Sequence, residues 1–92
     1  MQRKTYYEDD NFRVYLEEIN GEVAIHVAIF TFSKAIFKQI RSVWAEVIVK
    51  MYFLGYEKLF AYTKDNRIIK MIGGAKMLKE VEDFEVWEWE LS

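Results

Sequence analysis

The stretch FRVYLEEINGEVAIHVAIFTF, residues 12–32, contains the strongest structural signal in this 92-residue chain. At its centre lie Asn20 and Gly21, a pair that favours a two-residue type I′ turn because both turn positions need positive φ. Residues 12–19 alternate weakly before the turn, and residues 22–32 follow as a second strand. Both faces of that second strand are mostly apolar, so we predict a hairpin whose second strand is central and covered on both sides.

A long helix is predicted directly after this hairpin. Ser33 is a residue type that caps helix N-termini, and Gly55 is a type that ends helices. Between them, apolar residues recur every three or four positions, which predicts a helix over residues 34–54. Its apolar stripe is unusually wide and indicates cover by more than one element or by a second chain. We therefore predict interface residues among those that widen it: Phe37, Ile48 and Tyr52.

The second half of the chain contains shorter elements. A strand is predicted at residues 58–62 and a short helix at residues 66–72, which paired glycines end. The last two strands are predicted at residues 77–81 and 84–91. We therefore predict a single small α+β domain over the whole chain, with a mixed sheet and the element order β-β-α-β-α-β-β. Residues 1–11 are expected to be a flexible N-terminal segment.

The composition excludes several functional classes. The chain has no cysteine and one histidine, which excludes disulfide frameworks, thiolate metal sites and His-rich metal cages. The N-terminus is polar, and the longest uncharged run, residues 23–33, is too short for a membrane-spanning helix, which needs roughly 20 residues. We therefore expect a cytoplasmic protein that does not bind membranes and holds no metal.

Charge is segregated along the chain, although the net charge is only −2. Residues 33–79 hold ten basic and three acidic residues, whereas residues 80–92 hold six acidic residues and no basic one. Solvated charges on a basic helix and an acidic edge strand explain this pattern, and so does a surface for a charged partner. We name an acidic face on the last strand, formed by Glu85, Glu88 and Glu90. Its carboxylates would cancel much of the basic field, so direct nucleic-acid binding is not expected.

The stretch LFAYTKDNRIIKMIGGAKMLKE, residues 59–80, together with the element order, resembles part of the GNAT acetyltransferase fold. Many GNAT-like chains place a strand, a polar turn and a short helix before a last aromatic strand. Here the residues that match are Ile69 and Lys70, Gly73 and Gly74, and the strand 84–91. The resemblance covers residues 12–91 and is closest to small GNAT-like proteins encoded by bacteriophages, including virion-associated ones.

This resemblance implies an acetyl-CoA cofactor and a general base. The cofactor loop would consist of the residues before the long helix: Thr31, Phe32, Ser33 and Lys34. The base would be His26 or Glu18. GNAT proteins, however, carry a basic residue and glycines in this loop, which bring backbone N–H groups to the pyrophosphate. The loop of this chain contains no glycine, and the family's first strand and two helices have no counterpart before residue 12.

We therefore predict a small non-catalytic protein-binding module, phage-encoded and without a cofactor. It would form a homodimer and contact a host or virion protein. Trp87 and Trp89 join the interface candidates because tryptophan buries a large area at low entropic cost. Two alternatives stay open: a minimal acetyl-CoA-dependent N-acetyltransferase, and an acidic inhibitor of a nucleic-acid-handling or defence complex.

Overall fold

The computed structural model describes residues 2–91, which form one six-stranded sheet and two helices. The strands are β1 (Gln2–Glu8), β2 (Phe12–Ile19), β3 (Glu22–Ile29), β4 (Lys58–Thr63), β5 (Lys76–Val81) and β6 (Phe84–Glu90). The helices are α1 (Lys34–Phe53), between β3 and β4, and α2 (Arg67–Ile72), between β4 and β5. The predicted α+β class and mixed sheet are confirmed. Within residues 2–91, no helix is long and apolar enough to cross a membrane.

The strands lie in the order β1-β2-β3-β4-β6-β5. Only β3 and β4 pair in parallel, and every other pair of neighbours is antiparallel. Parallel strands need a long crossover connection, which α1 supplies. The parallel ladder is short, because it runs only from the pair Val23 and Leu59 to the pair Ile25 and Ala61.

The N-terminal segment contains a strand that the sequence analysis did not assign. Strand β1 pairs with β2 from the start of the described chain, so β2 is not the open edge of the sheet. A bulge between Thr5 and Tyr7 interrupts the ladder. Tyr6 and Tyr7 both reach toward the helices, where Tyr6 bonds to Glu46 and Tyr7 stacks on Phe12. Adjacent apolar residues on one face break the period of two, which explains why the pattern predicted no strand.

The β2–β3 turn and the start of α1 lie where the sequence predicts them. Asn20 and Gly21 have φ values of 52° and 82°, as the type I′ turn requires. The Ser33 hydroxyl accepts a hydrogen bond from the backbone N–H of Ile36 at 3.2 Å, which caps α1. Strand β3 ends at Ile29 rather than at residue 32, because the chain beyond it leaves the ladder.

Both helices pack on the same face of the sheet. The core cluster joins Ile40 and Trp44 of α1 and Ile69 of α2 to strand residues such as Ile25 and Leu59. Most of these side chains are almost fully buried. The expectation that β3 is covered on both faces was therefore wrong, since among residues 2–91 no helix covers its other face. An alternating apolar pattern shows that a face is poor in charge but does not show that an element covers it.

Candidate functional site

The sheet face opposite the helices is the largest uncovered feature of the described chain, and we call it the open face. Because side chains alternate along a strand, its residues follow from the register: Arg3, Thr5, Glu8, Arg13, Tyr15, Glu17, Ala24, His26, Ala28, Lys58, Phe60, Tyr62, Lys76, Lys79, Val81, Phe84, Val86, Glu88 and Glu90. The accessible surface is 6264 Å², compared with about 5,700 Å² expected for a compact monomer of this mass. An uncovered sheet face accounts for a surplus of this kind.

Aromatic rings occupy the centre of the open face. The His26 ring lies between those of Tyr15 and Tyr62, with centroid separations of 6.1 Å on either side. The flanking residues on the same strand are Ala24 and Ala28, which have small side chains. The surface is therefore lower at Ala24 and at Ala28, on either side of the His26 ring. A hollow of about 240 Å³ lies beside Ala24, between the β2–β3 turn and the Phe60 and Tyr62 side chains.

Two buried carboxylates flank this aromatic centre. Glu17 and Glu88 are each 7% exposed and are the only buried charged residues among residues 2–91. Glu17 lies 3.4 Å from the Arg3 guanidinium, and Glu88 lies 3.4 Å from the Lys58 ammonium. A buried charge without a partner is costly, and in each pair the neighbouring cation offsets that cost.

Burial lowers the pKa of His26 below its usual 6.5. The carboxylate of Glu17 opposes this shift by raising the pKa, whereas the positive charge of Arg3 lowers it further. The Nε2 atom lies 3.4 Å from the nearer Glu17 oxygen, and it is buried without a hydrogen-bond partner. His26 is therefore held as a neutral imidazole at neutral pH, packed between two tyrosine rings.

The low pKa of His26 has a consequence for stability. The unfolded chain binds this proton more tightly than the folded protein, so His26 contributes stability above about pH 6.5 that is lost as the pH falls through the folded-state pKa. We expect a His26→Gln variant to lose less stability than the wild type between neutral and mildly acidic pH. Urea unfolding across that range measures the difference. Equal slopes for the two proteins, or a His26 NMR titration midpoint above 6.5, would contradict this.

The two predicted bases do not share a site. His26 lies on the open face, whereas Glu18 lies on the helix side, where it accepts a hydrogen bond from the Tyr56 hydroxyl at 2.7 Å. That hydrogen bond is the main cause of a raised Tyr56 pKa. Glu18 also pairs with Val23 at the start of β3, so it is at the opposite end of the strand from the predicted cofactor loop.

The predicted cofactor loop, Thr31, Phe32, Ser33 and Lys34, lies between the end of β3 and the start of α1. The backbone N–H groups of Phe30 and Thr31 both donate to the Asn11 carbonyl, at 2.7 and 3.1 Å. The Ile36 N–H is taken by the Ser33 hydroxyl. A pyrophosphate bound before α1 would need free backbone donors and a loop without side chains in the way. Here the N–H groups of Thr31 and Ile36 are used within the chain, and the loop carries the side chain of Phe32 instead of a glycine.

The predicted acidic face is divided between the two sides of the sheet. Glu85 lies on the helix side and accepts hydrogen bonds from Asn66 Nδ2 and Trp87 Nε1, each at 2.9 Å. Those two hydrogen bonds lower the Glu85 pKa. Glu88 is buried against Lys58 on the open face, and only Glu90 of the three is exposed. The three carboxylates therefore do not present one anionic surface.

Most of the predicted interface residues belong to the core. Phe37 and Trp89 are buried, Ile48 packs partly against the core, and Trp87 is half-buried. The register explains this, since the tryptophan row of β6 faces α1 rather than solvent. Tyr52 alone among the five is exposed, at 54%.

The described residues contain no candidate metal-binding site. Among residues 2–91, no group of three or more histidine, aspartate or glutamate side chains is placed to hold a metal ion.

Comparison of the chain with protein-family models, with curated proteins and with solved structures finds no match.

Proposed function

We propose that this protein is a small non-catalytic protein-binding module whose open face receives an amphipathic helix of a partner protein. The observation that carries the proposal is the uncovered sheet face with an aromatic centre. A hairpin-built sheet face that stays in water normally alternates to polar side chains. This face instead presents Phe60 and Tyr62 beside Ala24, and such aromatic residues are typical anchors of protein interfaces.

The dimensions of the face suit a helix. Neighbouring strands lie about 4.8 Å apart, so the side chains of β2 and β4 form ridges roughly 10 Å apart on either side of β3. That spacing is close to the diameter of an α-helix with its side chains, about 10–12 Å. Ala24 and Ala28 lower the floor between the ridges, and the hollow of about 240 Å³ has room for one large apolar side chain of the partner.

The charges of the open face support a protein partner rather than a nucleic acid. Arg3 pairs with Glu17, Arg13 with Glu8, and Lys58 with Glu88, all within the chain. Nucleic-acid binding relies on cations that are free to neutralise phosphates, whereas these three cations already face carboxylates. The other two lysines of the face, Lys76 and Lys79, lie at its β5 edge, away from the aromatic centre. Paired charges around an apolar centre are instead the usual anatomy of a protein interface.

The alternatives have less support. The acetyltransferase needs a cofactor loop, but the backbone donors of Phe30 and Thr31 bind Asn11. The acidic inhibitor needs a continuous anionic surface, but Glu85 and Glu88 lie on opposite sides of the sheet. The strand order and the β3–α1–β4 crossover support a GNAT-like scaffold as part of this proposal. A bacteriophage origin, and action in the cytoplasm or in a virion, stay predictions.

Replacing Tyr62 tests the proposal. Tyr62→Glu adds a charge to the apolar centre of the open face, and we expect it to abolish capture of a specific partner from a lysate of the source organism. Met71→Glu is the control, because Met71 is similarly exposed but lies on α2. The captured protein should be retained by the wild type and by Met71→Glu. Retention by Tyr62→Glu, or equal loss with both variants, would contradict a docking role for the open face.

A further inference from the structure

The outer side of α1 carries apolar residues where a surface helix normally carries charge. The buried residues of α1 lie on one side, and the last two turns of the opposite side carry Ala45, Val49, Tyr52 and Phe53. We call these four residues the outer stripe. Phe53 is 79% exposed, the most exposed large apolar residue of residues 2–91, and Val49 and Tyr52 are each 54% exposed.

The outer stripe contains both a projection and a hollow. Phe53 projects at the C-terminal end of α1 and touches only Tyr52 among the aromatic rings near it, edge to face at 5.6 Å. About two turns earlier on the helix, a shallow, open hollow of about 560 Å³ is lined by Ala45, Val49 and Tyr6 together with the polar residues Ser42, Glu46 and Lys50. The large side chain of Phe53 and the hollow beside the small side chain of Ala45 lie on the same stripe, and the polar groups of Ser42, Glu46 and Lys50 border that hollow.

We infer that a second copy of this chain packs on the outer stripe as an antiparallel helix pair, related by a two-fold axis at Val49. In that register Val49 faces the same residue of the second copy. Phe53 of each chain then faces Ala45 of the other and enters the hollow there. A two-fold arrangement satisfies both chains at once, since each supplies one projection and one hollow. This surface is separate from the open face, and the inference does not rest on the proposed function.

Charge favours the antiparallel pair over a parallel one. The first half of the outer side of α1 carries Lys34, Lys38 and Arg41. A parallel pair would bring these cations against one another. The antiparallel pair places them beyond the C-terminal end of the other α1, where the free carbonyl groups carry partial negative charge and Glu57 follows in the chain.

The size of the contact sets the expected affinity. The overlap spans residues 45–53, about 13 Å of helix. A helix pair of this length buries less than roughly 1,200 Å², which is the range of weak or transient interfaces. We therefore expect weak association, so the oligomeric state should depend on concentration.

Exchanging the projection and the hollow tests the register. Phe53→Ala removes the projection, and Ala45→Phe fills the hollow so that two phenylalanines collide. We expect either change to weaken dimerisation at least tenfold. The double variant, Ala45→Phe with Phe53→Ala, restores a large residue opposite a small one in both chains, and we expect it to recover most of the lost affinity. Ala35→Phe is the control, because Ala35 is exposed on α1 outside the overlap.

Sedimentation equilibrium of the full chain over a concentration series gives the result. The wild type, Ala35→Phe and Tyr62→Glu should all approach twice the monomer mass of 11.1 kDa. A wild type that stays monomeric overturns the inference, as do single variants that dimerise like the wild type. If the double variant dimerises more weakly than both single variants, the proposed register is wrong. If Tyr62→Glu lost the dimer, self-association would occur through the open face. That result would overturn the inference of a dimer on the outer stripe, but the open face would still have a binding role.

Discussion

The Trp89→Ala variant is expected to lose about 3–5 kcal/mol of unfolding free energy. Trp89 is 4% exposed, and its ring lies against that of Trp44 with centroids 5.3 Å apart. Its indole N–H also donates to the Gly73 carbonyl at 3.0 Å, which ties the end of α2 to β6. Alanine would leave a cavity between sheet and helix and a carbonyl without its partner. Because small domains have only about 5–15 kcal/mol in total, urea unfolding followed by circular dichroism should show the loss clearly.

Trp87→Ala is the matched control for this prediction. Trp87 lies two residues earlier on the same strand and face, but it is only half-buried, and its indole N–H bonds to Glu85. We expect its loss to be clearly smaller than that of Trp89→Ala. Equal losses would contradict the core position of Trp89. If Trp89→Ala kept the stability of the wild type but lost self-association, Trp89 would belong to an interface instead of the core.

Local chemistry predicted most of the elements. The turn at Asn20 and Gly21, the cap at Ser33 and the stop at Gly55 depend on neighbours within a few residues, so the sequence pattern reports them directly. Strand β1 escaped prediction because Tyr6 and Tyr7 face the same side across a bulge. The sequence analysis did not predict the open face either, for a different reason. Whether a second layer covers β3 depends on the path of the helices, and no local pattern records that path.

The candidate site could have been predicted in part. A two-residue turn fixes the register of the β2–β3 hairpin, which places Glu17 beside Ala24 and Tyr15 beside His26. The sequence analysis named Glu18 instead, although Glu18 is on the opposite face of the sheet from His26. Arg3 could not be found in this way, because its contact with Glu17 depends on the unpredicted strand β1.

Acetyl-CoA is expected not to bind. A bound pyrophosphate must displace or replace the hydrogen bonds that its donors make in the free protein. Two of the nearest donors, the N–H groups of Phe30 and Thr31, hold the end of β3 to Asn11. Freeing them would break two backbone hydrogen bonds that fix the end of β3. The missing glycines mean that side chains also occupy the space a phosphate would need.

Amide NMR spectra of the full chain, titrated with acetyl-CoA, test most directly whether this scaffold works by contact or by group transfer. The expected result is no saturable shift at residues 30–36 and no heat in a parallel calorimetric titration. Weak shifts that are spread over many basic residues and removed by salt would indicate nonspecific attraction of the charged ligand, which salt screens, and would agree with the account. Saturable shifts centred on residues 30–36, with acetyl transfer to an amine, would contradict it.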